Sequence, residues 1–458
     1  MSIARSNRTW SLPVYGILLF TCSAAGDMSH NSCHTPMVFE DAAVNVVVLP
    51  YRYAAGNDSS LNNMGNRLSL LVKLNVLSHI LDYGSIGAVQ MELPPDVPQD
   101  DRACQPEVIL PQLLGGTPEA AQKLRVGHGL VLVWGLLYQE GDDVFVQTYA
   151  RFLRRGVEEE ITFGAIGISF SGKPSAQLLA FTPQKLSQKQ LEQIESDYER
   201  ADFVRTEPSD NAPGERLPRG VSKCVGNCGN SSLYGALYVE ERRGEWIRVR
   251  WMDPAGHENK QGWIHAAGNL EGTQLDKVLP ELKFIEGCAG YLRQRVADAE
   301  NHQSSKELSA LAVTELKDFV GVADVEPMDM GSAVALQLAG ILEYTSGRQS
   351  LDFLIRASQN FEQARKIIPS DPDAITLAVA AQVSREWTEK GKFERTSQKA
   401  QLLSAAAALS SDKTALSNLS SLYRVILKTA DTTAVPDNLT RSDVEKRLRV
   451  VDTLASSR

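Results

Sequence analysis

The feature that most constrains this 458-residue sequence is a change of pattern near residue 270. Before that point, β-branched runs such as VNVVVLPYRY (44–53) alternate with helical segments or follow one another. After it, the composition is helical to the end of the sequence. Apolar residues at every second position are typical of strands, and spacing near 3.6 residues is typical of helices. The pattern predicts a multidomain α+β fold with a helical domain last.

Three parts and one linker follow from this pattern. Strands and helices alternate over residues 44–205, which predicts an N-terminal α/β domain. Residues 206–220 are rich in proline, glycine and charge and are the best candidate linker. Strand-like runs continue over 216–270, which predicts an all-β segment. Helical patterns cover 280–458, where only ADVEPMDMG (323–331) is polar and loose enough for a second linker.

Local patterns also predict individual elements of the first part. VNVVVLPYRY is typical of a buried strand, and the next helix is expected from Leu61 to a stop at Gly84. GLVLVWGLLYQEGDDVFVQTYARFLRR (129–155) predicts a β-hairpin that turns at EGDD. A further helix in FTPQKLSQKQLEQIESDYERA is expected to open at the Thr182–Pro183 pair.

Residues 1–25 have the pattern of an export signal. Arg5 and Arg8 precede the apolar run VYGILLFTCSAAG, and the small residues at its end suit a signal peptidase. The run is shorter than the roughly 20 residues of a membrane-spanning helix. We therefore expect a periplasmic or cell-envelope protein, with a buried N-terminal helix as the alternative. Cys22 leaves membrane attachment by lipidation open, although the two residues before it are larger than lipoprotein signals require.

Cleavage of such a signal leaves an odd number of cysteines, so one thiol has no partner in an oxidising compartment. Cys224 and Cys228 form a C-x3-C motif, which favours a disulfide between them or between one of them and Cys288. Cys33 and Cys104 are a second candidate pair. Sequence alone leaves these pairings and the oligomeric state open.

No pattern in the sequence predicts catalysis, a metal site or a cofactor. A zinc site built from the C-x3-C motif with His257 and His265 is the alternative to a disulfide, but zinc sites usually use C-x2-C. GISFSG is not a nucleophile elbow, because that motif needs Gly-x-Ser-x-Gly. The formal net charge of −9 argues against a nucleic-acid partner.

The segment 216–270 contains GEWIRVRWMDPAGHENKQGWIH, Gly244 to His265. Its W-x-x-V and G-W-I patterns resemble those of bacterial Src-homology-3 domains, although the Arg-x-Gly-Pro-Ser signature of that family is absent. The resemblance implies a small barrel that contacts a peptide or peptidoglycan. We expect Trp246 or Trp263 in the barrel core and Trp251 on the opposite, exposed face. The predicted binding residues are Trp246, Trp251, Trp263, Arg248 and Arg250, and a charged outer face is the alternative interpretation of the arginines.

Two further resemblances concern the flanking parts. Residues 44–155, with LPY ending the first strand and the later hairpin, resemble the α/β domain of TolB-type periplasmic proteins and CsgG-type secretion lipoproteins. ASQNFEQARKIIPSDPDA, Ala357 to Ala374, resembles a tetratricopeptide repeat. That resemblance implies that Ala357 and Ala364 let helices approach, that Phe361 fills the gap between them, and that prolines turn the chain.

These features together predict a non-enzymatic scaffold or adaptor of the bacterial cell envelope. Its expected partners are other envelope proteins and peptidoglycan, and repeat helices would hold partner segments in a concave groove. The alternative function is a ligand-sensing regulator of a partner enzyme, in which the α/β domain binds a small molecule.

Overall fold

Strand β1 (Val44–Tyr53) lies inside a mixed sheet, where it pairs in parallel with β2 (Ile86–Gln90) and β3 (Gly129–Glu140). In this computed structural model, every side chain from Val44 to Leu49 is at most 1% exposed. Successive strand residues point to opposite faces, so this burial means that both faces of the sheet are covered. The predicted buried strand is confirmed.

The structure describes most of the chain in separate stretches. These are residues 42–53, 59–80, 83–91, 105–113, 129–154, 159–163, 168–172, 178–216, 237–252, 259–266, 269–270, 273–299, 306–322, 330–346, 350–391, 396–409, 413–429 and 440–457. The predicted export signal, Cys22, Cys33, Cys104, Cys224, Cys228 and His257 lie outside them.

Helix α1 (Ser59–Ile80) connects β1 to β2 and packs closely on the sheet. A Cβ atom at Gly65 would lie 1.7 Å from the backbone oxygen of Tyr51, so only glycine permits this approach. Ser69 stabilises the contact between α1 and β1, because its hydroxyl accepts a hydrogen bond from the Tyr51 N–H at 3.1 Å. The helix ends before the predicted stop at Gly84. A short helix, α2 (Pro106–Leu113), follows β2.

The predicted hairpin is confirmed as β3 and β4 (Asp143–Arg154). Gly141 takes a positive φ of 65° in its turn, a conformation that glycine adopts without strain. Two short strands, β7 (Leu179–Ala180) and β8 (Gln184–Leu186), pair with the outer side of β4. Strands β5 (Glu159–Phe163) and β6 (Ile168–Gly172) form a separate hairpin.

The helix expected to open at Thr182 and Pro183 begins later, as α3 (Gln188–Ala201). Ser187 caps it: its hydroxyl accepts a hydrogen bond from the Gln190 N–H at 3.1 Å, while the Gln190 side chain accepts one from the Ser187 N–H at 2.8 Å. This capping box satisfies two N–H groups and so fixes the start. The predicted start was wrong, because strand β8 occupies the residues after Pro183.

The strands of the middle segment join the same open sheet. They are β9 (Phe203–Arg205), β10 (Gly214–Arg216), β11 (Leu237–Arg243), β12 (Trp246–Met252) and β13 (Asn259–His265). β11 pairs with β2 through Leu237 opposite Ala88, and β13 pairs with β9 through Ile264 opposite Val204. The sheet order is β10-β9-β13-β12-β11-β2-β1-β3-β4-β7. Within the described residues this is an open mixed sheet, and a small closed barrel is not shown.

The rest of the described chain is helical after a short hairpin, β14 (Asn269–Leu270) with β15 (Thr273–Gln274). Helix α5 packs on the sheet, and each helix from α5 to α12 packs on the next. The helices are α4 (Leu275–Val278), α5 (Glu281–Ala299), α6 (Lys306–Val322), α7 (Met330–Ser346), α8 (Leu351–Ile367), α9 (Pro372–Lys390), α10 (Thr396–Leu409), α11 (Lys413–Thr429) and α12 (Arg441–Ser457).

The pair α8–α9 has the local structure expected from Ala357 to Ala374. Ala357, Phe361 and Ala364 are fully buried, and Phe361 packs against Gly340 on α7, where a Cβ would lie 2.6 Å from its ring. Asp371 caps α9 through the Asp373 N–H at 3.1 Å, and Pro372 stands at its first position. The helix–turn–helix prediction is therefore confirmed at this site.

Cys288 is buried on α5, and Cys224 and Cys228, its expected disulfide partners, lie outside the described residues. Among the described residues, no helix combines the length and the apolar character that crossing a membrane requires.

Candidate functional site

The predicted binding residues on β12 divide between two faces of the strand. Ile247 and Val249 are fully buried, and Trp251, on the same face, is only 4% exposed. The expectation that Trp251 is an exposed contact residue is therefore wrong. Residues two apart share a strand face, and the apolar β-branched pair decides which face turns to the core.

On the opposite face of β12, the charges of two arginines are balanced by those of neighbouring glutamates. Arg248 lies 3.3 Å from Glu240 and 3.8 Å from Glu241, and it donates to Gln261 at 2.8 Å. Arg250 lies 3.6 Å from Glu240, with its guanidinium 4.8 Å from the ring centre of Tyr238. These contacts favour the interpretation of the arginines as a charged outer face.

The other two tryptophans are covered by neighbouring polar side chains. Trp263 is buried at 7% exposure, and the guanidinium of Arg243 lies 4.9 Å from its ring centre. Trp246 is half-buried and meets the His265 ring edge-on at 5.0 Å between centroids. The five predicted residues therefore do not converge on one site.

His265, the described member of the alternative zinc set, is engaged by protein groups. Its Nε2 lies 3.0 Å from a nitrogen of Arg200 and 3.1 Å from Glu245. Burial, reinforced by the charge of Arg200, lowers the pKa of His265 below its usual range. Among the described residues, no group of three or more His, Cys, Asp or Glu side chains is arranged to hold a metal ion.

One enclosed polar cluster lies between the sheet and α5. The Thr148 hydroxyl donates to Glu281 at 2.5 Å and lies 3.2 Å from the Tyr51 hydroxyl. All three residues are at most 1% exposed, and burial raises the pKa of Tyr51. Because no part of this cluster is open to solvent, it fixes the packing of α5 on the sheet rather than meeting a ligand.

A second cluster joins α1 to α4, α5 and α6. His79 Nδ1 donates to the Asn75 carbonyl at 2.9 Å and lies 3.3 Å from Glu286, which is fully buried. Lys283 lies within 4 Å of three carboxylates, those of Asp276, Glu286 and Glu315. The first cluster therefore joins α5 to the sheet, and the second couples helices to one another.

The helical array contains an open groove of about 960 Å³, here named the polar groove. Side chains from five consecutive helices, α6 to α10, line it. They are Lys317, Val320, Gly321, Leu336, Ser358, Gln359, Asn360, Glu362, Gln363, Arg365, Lys366, Ala378, Gln382, Arg385, Gln398, Lys399 and Leu402. Most of these lining residues are polar. The apolar ones are Val320, Gly321, Leu336, Ala378 and Leu402.

Three of the five cations in the polar groove are held by carboxylates. Lys317 lies 2.8 Å from Glu343, Lys399 forms a buried ion pair with Glu386, and Arg365 binds Glu362 through two hydrogen bonds. Asn360 also donates to Glu343, at 2.7 Å. These ion pairs restrict the directions in which the Lys317, Lys399 and Arg365 side chains point.

The other two cations, Lys366 and Arg385, have no carboxylate partner within the described part of the chain. Lys366 is exposed, whereas Arg385 is half-buried and its Nε is a buried donor without a hydrogen-bond acceptor. A buried N–H without an acceptor costs free energy. Of the described residues that line the groove, five carry a positive charge and one, Glu362, carries a negative charge.

The predictions from sequence did not include the polar groove, although one signal was present. On α8, Ala357, Phe361 and Ala364 repeat at helical spacing and are buried. Gln359, Gln363 and Lys366 repeat with the same spacing on another face and are exposed. An amide-rich stripe beside an apolar one marks a solvent-facing surface of a packed helix.

Comparisons of the chain with models of known protein families, with curated proteins and with solved structures found no match.

Proposed function

We propose that this protein is a non-enzymatic adaptor that binds a segment of a partner protein in the polar groove. The observation that carries the proposal is the groove itself: about 960 Å³ of open space across five helices, lined by amides and cations. Among the described lining residues, Glu362 is the one carboxylate, and Arg365 engages it. These residues have hydrogen-bonding groups for recognition, and no paired nucleophile and base is found among them.

The proposal includes the finer architecture and the location expected from sequence. The buried Ala357, Phe361 and Ala364 support a tetratricopeptide-like repeat array. The antiparallel β11–β12–β13 unit supports a Src-homology-3-like relation for residues 216–270. Export to the periplasm or envelope rests on residues 1–25, and the partners would then be envelope proteins. Contact of Trp246, Arg248 and Arg250 with peptidoglycan stays a prediction.

Site-specific photo-crosslinking in the intact cell tests the proposal. p-Benzoylphenylalanine in place of Gln363, an exposed groove residue, is expected to yield a covalent adduct with a defined partner segment upon irradiation. The matched control is the same replacement at Glu192, which is exposed on α3 and outside the groove. Adducts at Glu192 but not at Gln363, or none at either position, would overturn the proposal.

A further inference from the structure

We propose that the segment held by the polar groove is an extended acidic peptide whose carboxylates contact Arg385 and Lys366. This inference rests on the proposed function and adds the chemistry of the ligand. It depends on which cations of the groove already have a carboxylate partner among the described residues and which do not.

Arg385 is the strongest anchor in the groove. Its guanidinium has five N–H donors in a planar fork, which matches a carboxylate through two parallel hydrogen bonds. The Nε donor is buried and lacks an acceptor among the described residues. The Arg385 side chain lines the groove, so a peptide carboxylate bound there supplies acceptors to its guanidinium and gains charge-assisted hydrogen bonds.

Lys366 and the paired cations have different roles. Lys366 lies on α8, which packs against α9, and its exposed ammonium attracts a second carboxylate at low cost in desolvation. Lys317, Lys399 and Arg365 already contact Glu343, Glu386 and Glu362. The first two of these ion pairs join neighbouring helices, the third lies within α8, and none of them offers a free charge.

The amides of the groove indicate an extended backbone. Gln359, Gln363 and Gln398 are exposed on α8 and α10, and each amide group both donates and accepts hydrogen bonds. An extended peptide presents N–H and C=O groups that no intramolecular partner satisfies. The glutamines therefore suit the backbone of a segment, while the two cations select its acidic side chains.

A single-stranded nucleic acid is the other anionic polymer to consider. It carries a charge at every residue, so a chain with a formal net charge of −9 repels it over the whole surface outside the groove. An acidic peptide with carboxylates at intervals avoids much of that repulsion. The observations therefore favour a peptide.

Fluorescence anisotropy with the full chain tests the inference. The probe is a fluorescein-labelled twelve-residue peptide in which Glu alternates with Ser, and the control peptide has Gln in place of Glu. The Glu peptide is expected to bind at least about tenfold more tightly, because its carboxylates form charge-assisted hydrogen bonds with the two cations and the neutral amides of the Gln peptide do not. Its Kd should rise as salt increases, because salt screens exposed charges.

Variants assign the effect to the two cations. Arg385→Gln and Lys366→Gln should each weaken binding of the Glu peptide about tenfold, while Arg385→Lys should recover only part of the loss. Lys306→Gln is the matched control, because it removes an exposed cation at the far end of α6, roughly 16 Å from Lys317 along the helix. Thermal unfolding of each variant separates lost binding from lost folding.

Several outcomes would overturn the acidic-peptide inference. These are equal binding of the Glu and Gln peptides, absence of binding by both, or an unchanged Kd in both cation variants. Tighter binding of a twelve-nucleotide oligothymidylate would replace the peptide with nucleic acid. The proposed function is judged separately: a Gln363 adduct with a neutral or basic partner segment would preserve the adaptor and refute the acidic ligand.

Discussion

At the scale of single residues, Trp251 joins the sheet's middle strands to the main core. Its side chain lies with Ile247 and Val249 in the continuous apolar cluster. Burial of a large aromatic side chain stabilises a fold through both its transfer from water and its packing. Trp246 lies on the opposite face of β12, where it is half-buried and contacts the ring of His265.

Replacing these two tryptophans should therefore have unequal effects. Trp251→Ala is expected to lower the free energy of unfolding by about 3–5 kcal/mol, because it leaves a cavity in the core. Trp246→Ala, the matched control, should cost only about 1 kcal/mol, comparable to one aromatic contact. Urea unfolding followed by circular dichroism measures both, and equal losses in the two variants would refute the assignment of faces.

The tryptophans also show which features of a strand can be predicted from the local sequence pattern. Alternation along β12 was predictable from sequence, and the structure confirms that Trp246, Arg248 and Arg250 share a face. The buried face is the one that carries Ile247, Val249 and Trp251, opposite to the face that the family resemblance implies. The β-branched pair was the better guide, since burial of apolar surface determines the orientation of a strand.

At the scale of secondary-structure elements, His79 and Glu286 link α1 to α5. Burial alone lowers the pKa of His79, but the hydrogen bond and charge of Glu286 outweigh it and raise that pKa above the usual range. Burial raises the pKa of Glu286, although His79 and Lys283 oppose the shift. Folding therefore favours the protonated form of both groups.

The contribution of these two groups to stability should consequently fall as the pH rises. A group whose pKa is higher in the folded state stabilises the fold below its unfolded pKa, and the contribution is lost through the folded pKa. The decline begins above about pH 4.3 for Glu286 and above about pH 6.5 for His79, their unfolded pKa values. The share of the urea midpoint that depends on these two groups is expected to decrease between about pH 5 and pH 9.

Two variants isolate the part that His79 contributes. The difference in midpoint between the wild type and His79→Gln should be largest near pH 6 and should shrink as the pH rises through the folded pKa of His79. His265→Gln is the control, because the pKa of His265 is lowered and its effect has the opposite sign. A pH-independent difference for His79→Gln would refute the coupling.

Element boundaries were predictable where a cap or turn is encoded locally. Asp371 and Pro372 mark the start of α9 in the sequence as in the structure. The Ser187–Gln190 capping box fixes the start of α3, and the expected start at the Thr182–Pro183 pair is not used. Proline is only compatible with the first turn of a helix. A capping box supplies acceptors for backbone N–H groups that have no partner within the helix, so it is the stronger signal of a helix start.

At the scale of the whole molecule, strands far apart in the sequence form one sheet. Leu237 pairs with Ala88, and Trp263 pairs with Arg205. Strand existence was predictable, but these pairings were not, because partners so distant leave no local periodicity. The polar groove was missed for the same reason: its lining comes from α6 to α10, and only packing brings those side chains together.

The central claim is that binding occurs in the polar groove rather than on the strand face around Trp246. Hydrogen–deuterium exchange of the full chain, with and without the saturating Glu–Ser peptide, tests it most directly. The account predicts that exchange slows in α8, α9 and the start of α10 and is unchanged over residues 237–266. Slowing confined to residues 237–266, with no change in α8 and α9, would contradict it.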